Sequence, residues 1–227
     1  MRVRPARLNA AVAWLFIVGS ACFVLGSVPG YVDAVGGRVD GVTYFIGSLF
    51  FTSASLGQLL QTQSPGMTGV DEPGQHVPTP VRWLAWLVHD RTWLAAATQF
   101  PGTLFFNVST AVALVHNLSV EEQDQYVWRP DFYGSTLFLV ASAFAILALG
   151  RGLRLSPRAY AWWIAWVNMV CSVLFMFSAL AIYVAPGSGD LIDSQVSILG
   201  TLLGAVCFLV GAALMFPAWR EALLRRA

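Results

Sequence analysis

The chain contains no lysine; all 13 basic residues are arginine, set against 12 acids in 227 residues. Charged side chains make up 11% of it, where a soluble domain carries about 25%. No basic stripe exists along any segment, which excludes nucleic acid as the natural partner. The all-arginine usage, with abundant Ala, Gly and Val, points to a GC-rich bacterial genome.

Cysteine and histidine are scarce as well. Cys22, Cys171 and Cys207 fall inside apolar runs, with no CxxC and no neighbouring histidine, and read as small helix-packing residues. His76, His89 and His116 lie in loops or at boundaries, which leaves no pair to ligate a haem across a membrane. HExxH, a phosphate-binding glycine loop and an intramembrane Ser and His pair are all missing. An enzyme is therefore not expected, and neither is a cofactor or a metal.

Hydrophobic residues are plentiful, at 57% of the chain with a mean hydropathy of +0.65. They gather in six runs at about 8–28, 41–60, 93–115, 132–150, 159–184 and 196–216. Each approaches the ~20 residues that cross a hydrocarbon core, and lipid offers the backbone no hydrogen bonds, so each is expected to be a helix. The first run is longer than the apolar core of a signal peptide and lacks an A-x-A site, so it reads as a span.

Arginine placement orients the spans. With a cytoplasmic N-terminus, eleven arginines face inward, including Arg82, Arg91, Arg151, Arg154, Arg158, Arg225 and Arg226, and only Arg38 and Arg129 face outward. Asp33, Asp40, Glu121, Glu122, Asp124, Asp131, Asp190 and Asp193 fall on the outer side. Eight of nine tryptophans gather toward the cytoplasmic ends as an interfacial belt, with Trp128 outside.

The expected fold is an all-α integral membrane protein with six transmembrane helices in three repeated hairpins and both termini cytoplasmic. Its parts are a first hairpin at 1–62, a cytoplasmic linker at 63–92, a second hairpin at 93–150, and a third hairpin with the C-terminus at 151–227. Within the linker, Gln61–Pro80 lacks regular structure, and Val81–Val88 forms a short amphipathic surface helix. It leads to His89-Asp90-Arg91, either a pH-sensitive cluster or a solvated charge group. Asn117-Leu118-Ser119 matches a glycosylation sequon of the kind that arises by chance.

One pattern recurs in every span: Gly or Cys, a small residue, two arbitrary residues, Phe, three more, and a second small residue. The copies are Gly19-Ser20-Phe23-Ser27, Gly47-Ser48-Phe51-Ser55, Gly102-Thr103-Phe106-Thr110, Gly134-Ser135-Phe138-Ser142, Cys171-Ser172-Phe175-Ala179 and Gly204-Ala205-Phe208-Ala212. At ~100° per residue these positions share one face, where small residues admit close backbone approach and hydroxyls can bond across an interface. The helix-packing seam is accordingly Gly19, Ser20, Gly47, Ser48, Gly102, Gly134, Ser135, Ser172 and Gly204, with Gly200 one turn before Gly204.

Trp14–Phe23, reading WLFIVGSACF, followed by Tyr44–Phe51, reading YFIGSLFF, resembles the YrhK family of small bacterial membrane proteins. The last hairpin is similar, with Cys171 and Ala205 replacing the Gly and Ser of the pattern. The resemblance implies helical hairpins in a bacterial inner membrane and carries over no catalytic or binding residue.

No ionisable residue stands in the middle of a span, which argues against an ion-coupled pump. The most polar face belongs to the third span, where Gln99, Thr103, Asn107 and Thr110 lie within roughly 80° of one another. With Asn168 of the fifth span they either bond between helices, the preferred reading, or line a path for a small neutral solute. The expected function is a non-enzymatic structural or partner-binding component of the bacterial cytoplasmic membrane; a channel or carrier for a small neutral or lipid-like solute is the alternative. Its partners are the lipid bilayer and either another membrane protein or a second copy.

Overall fold

The computed structural model describes residues 2–64, 67, 79–115, 118–150, 159–183 and 193–224, the last four as backbone only. Its long helices are α1 (Pro5–Ser27), α3 (Gly37–Gln63), α4 (Arg91–Val112), α6 (Arg129–Ala148), α7 (Tyr160–Ala181) and α8 (Ser194–Leu224). Short α2 (Tyr31–Val35) and α5 (Val120–Gln123) occupy two of the connections, and a π-helical turn at Asp124–Trp128 leads into α6. A two-residue ladder joins β1 (Arg2–Val3) to β2 (Thr79–Pro80), antiparallel. His76, His116, Asn117, Arg151, Arg154, Arg158, Asp190, Arg225 and Arg226 lie outside the described residues, as does most of the linker at 65–78.

Local chemistry sets the helix starts. The Asp90 carboxylate accepts from the amides of Thr92 and Trp93 at 2.8 and 3.2 Å, and so begins α4. Asp193 begins α8 in the same way through Gln195 and Val196. Ser119 and Glu122 form a reciprocal box at the start of α5. Each such cap satisfies amides that the helix cannot pair itself. Gly30 and Gly36, at φ of 85° and 82°, bracket α2 in a conformation that a Cβ disfavours.

The expected amphipathic helix at Val81–Val88 is not formed, and the chain from Val81 to Val88 has no regular secondary structure. Gln63 Nε2 donates to the carbonyls of Arg82 and Trp83 at 2.8 and 2.9 Å, and Arg82 N donates to Ser64 Oγ at 3.0 Å. Two carbonyls that a first helical turn would use are thereby tied to the end of α3. Asp90 acts as a cap rather than as a free charge, and Arg91 donates to the Leu147 carbonyl at 2.8 Å.

The six long helices pack in a closed ring. Successive neighbours are α1 with α3, α3 with α4, α4 with α6, α6 with α7 and α7 with α8, and α8 closes on α1. Neighbours run antiparallel, as shown by Ser48 meeting Thr110 while Thr52 meets Asn107. Among the described residues, four helical segments are long and apolar enough to cross a membrane: Pro5–Ser27, Val120–Ala148, Tyr160–Ala181 and Ser194–Arg220. Large apolar side chains on the outer faces, among them Ile46, Val108, Val140, Phe177 and Leu203, are exposed. Small residues, hydroxyls and phenylalanines occupy the interior.

Candidate functional site

Glycines bring the helices together in pairs. A Cβ on Gly19 would stand 3.0 Å from the Gly47 carbonyl oxygen, and one on Gly47 would stand 2.9 Å from Phe23. A Cβ on Gly134 would stand 3.1 Å from the Gly102 carbonyl oxygen, and one on Gly102 would stand 2.9 Å from Phe138. In α8, a Cβ on Gly204 would stand 3.1 Å from Phe175 and one on Gly200 would stand 3.0 Å from the Leu174 carbonyl oxygen. Each glycine thus lets a neighbouring ring or carbonyl occupy the space of its missing side chain.

The hydroxyls of the seam bond along and across these contacts. Ser20 donates within its helix to the Phe16 carbonyl at 2.7 Å, and Ser48 shares a bond with Thr110 at 3.0 Å. Ser172 bonds Ser142 at 2.8 Å and donates to the Phe138 carbonyl at 3.2 Å, while Ser135 reaches the Phe175 carbonyl at 3.5 Å.

The motif phenylalanines, one from each long helix, close a circuit. Ring centroids lie 5.3 Å apart for Phe23 and Phe51, 4.8 Å for Phe51 and Phe208, and 6.1 Å for Phe208 and Phe138. They continue at 5.2 Å for Phe138 and Phe106, 6.2 Å for Phe106 and Phe175, and 6.5 Å for Phe175 and Phe23. Most of the pairs are edge-to-face, the arrangement that ring quadrupoles favour at about 0.5–1.5 kcal/mol each. The order of the circuit differs from the order of helices in the ring, so the rings reach across the bundle's interior.

A cavity opens on either side of this layer. One, of about 410 Å³, lies at the Asp40 end among the C-terminal turns of α1, α4 and α7 and the N-terminal turns of α3, α6 and α8. Its wall carries Asp40, Asp131, Ser27, Tyr44 and Thr110, and five of the motif phenylalanines form its floor. Ser27 and Tyr44 share a hydrogen bond of 2.8 Å. The other, of about 430 Å³, lies at the opposite helix ends and carries the amides of Asn9, Gln58, Gln99 and Asn168, with Phe208 in its wall. None of its described lining residues is charged. Gln58 Oε1 and Asn168 Oδ1 are buried there without a hydrogen-bond partner.

The polar stripe of α4 is divided by this geometry. Gln99 and Asn168 share the amide-lined cavity. Thr103 is fully buried and donates to the Phe100 carbonyl at 2.6 Å. Asn107 donates through Nδ2 to Thr52 Oγ1 at 2.8 Å in the α3–α4 seam, and Thr110 lines the Asp40-end cavity.

The sequence does not single out Asn9 and Gln58, and it marks Asp40 and Asp131 only as outer-side loop acids, yet a periodicity signal is present. Gln58, Gln99, Asn168 and Asp131 each stand seven residues, two helical turns, from a motif phenylalanine and so share its face.

Comparison of the chain with known protein families, with curated proteins and with solved structures finds no match.

Proposed function

We propose that this protein is a six-span component of a bacterial inner membrane that holds a path for a small solute through its ring of helices. The observation that carries this reading is the pair of cavities on opposite sides of the phenylalanine circuit, both inside one closed ring. An apolar constriction between two wetter chambers is a form of gate that excludes water and ions until its rings part. The reading is non-enzymatic: the chambers carry amides, hydroxyls and two carboxylates, and no arrangement of nucleophile and base.

In this reading α3 and α4 cross the bilayer beside the four more apolar segments, and both termini are cytoplasmic. Arginine asymmetry supports that orientation, and it directs the Asp40 end outward. The matching glycine contacts of Gly19 with Gly47 and of Gly134 with Gly102 support three hairpins descended from one repeated unit. The YrhK-like first hairpin is consistent with that origin.

The test is stopped-flow shrinkage and re-swelling of vesicles containing the purified chain, with urea and glycerol as probes, comparing wild type with Phe51→Ala and Phe208→Ala. Both variants should admit solute faster than wild type. Rates equal to those of protein-free vesicles for all three proteins would refute the path.

A second reading, a scaffold for another membrane protein or a second copy, draws on the apolar side chains exposed around the ring and on the use of Asn107 in packing. It expects no flux and a stable complex in native membranes.

A further inference from the structure

The Asp40-end cavity combines acids with aromatic walls. Asp40 stands in the first turn of α3 and Asp131 in the first turn of α6, helices separated in the ring by α4. Both line the cavity, and none of its described lining residues is Arg, Lys or His. One oxygen of Asp40, Oδ1, is buried without a hydrogen-bond partner, while the side chain as a whole is partly exposed. Arg129, two residues before Asp131, is engaged instead by Asp124 at 2.8 Å. A carboxyl group taken out of water is either neutralised by a proton or answered by a positive charge, and the described cavity wall supplies no such charge.

The remaining wall indicates which cation fits. Calcium and magnesium take six or more oxygen ligands, and among the described residues no group of three His, Cys, Asp or Glu side chains comes together. The volume of about 410 Å³ lies within the ~300–1,000 Å³ of small-molecule sites and far exceeds a bare ion. Phe23, Phe51, Phe106 and Tyr44 bring aromatic rings to the same space, and such rings attract an organic ammonium while burying its hydrocarbon.

We infer that this cavity binds a monovalent organic cation, with its charged nitrogen at Asp40 and Asp131 and its apolar body on the phenylalanine floor. The inference deepens the solute-path reading, resting on it only in that the cavity is reached from water.

The test uses the full chain in lipid nanodiscs and two probes of the same shape, benzyltrimethylammonium and its neutral counterpart neopentylbenzene. The cation should bind roughly tenfold more tightly, within the range that cation–π and carboxylate contacts supply. Asp40→Asn combined with Asp131→Asn should abolish that preference. Equal affinity of the two probes for wild type, or an unchanged preference in the double variant, overturns the site.

Should the double variant fail to fold, Ser27→Cys keeps both acids and places a thiol in the cavity wall. The cation should slow its alkylation by a maleimide several-fold more than the neutral probe does, and equal rates overturn the site. Cation binding without solute flux in vesicles would uphold the site and refute the path. Flux without a charge preference would do the reverse.

Discussion

Phe51 of α3 and Phe208 of α8 meet edge to face with centroids 4.8 Å apart, although their helices are not neighbours in the ring. The contact is possible because both rings leave their helices toward the interior, on the face that carries the glycines. In lipid, apolar burial gives helices no drive to associate, so fitted contacts of this kind hold the bundle together.

Truncating one of these rings should cost stability while it opens the layer. Phe51→Ala should destabilise by about 3 kcal/mol, the scale of an aromatic cavity in a packed core. Phe51→Leu should cost clearly less. Thermal unfolding in detergent, read by near-UV circular dichroism, orders wild type above Leu above Ala; equal midpoints would contradict the packing role.

Glycine substitutions should divide by what the new side chain meets. A Cβ at Gly19 stands 3.0 Å from a backbone oxygen, and backbone cannot step aside as a flexible side chain can. Gly37, in the first turn of α3, has nothing within 4 Å. Gly19→Val should lower the yield of folded protein severely, whereas Gly37→Ala should be neutral or stabilising by up to about 1 kcal/mol. Membrane abundance and melting temperature of the two variants test the contrast.

Two polar residues of α4 should behave differently. Asn107→Leu breaks the bond to Thr52, and interhelical bonds in lipid contribute about 0.6 kcal/mol on average and up to about 1.7. Gln99→Leu alters a cavity wall and should leave the unfolding free energy within about 0.5 kcal/mol of wild type. A denaturant titration that ranked Gln99→Leu as the more damaging would reverse these assignments.

Capping makes a local prediction. Asp90→Ala removes the acceptor for the amides of Thr92 and Trp93 and should cost about 1 kcal/mol. Hydrogen exchange should rise in the first turn of α4 and stay unchanged near Phe106. Uniform exchange along α4 would show that the cap is not what starts the helix.

The sequence by itself determined where the long helices lie and which face of each carries small residues, because apolar run length and helical period are local properties. α1 at Pro5–Ser27 overlaps the apolar run at 8–28, and α7 at Tyr160–Ala181 the run at 159–184. The same local logic failed at Val81–Val88, where Gln63, distant in sequence, engages the Arg82 and Trp83 carbonyls that a first helical turn would use. Only the tertiary structure decided that Asp40 and Asp131 line a shared cavity, and that Gln99 joins Asn168 while Asn107 goes to Thr52. A helical period names a face; closing the ring chooses what that face meets. That choice depends on all six helices together, since some of the rings that fill the interior, such as Phe51 and Phe208, join helices that are not neighbours in the ring.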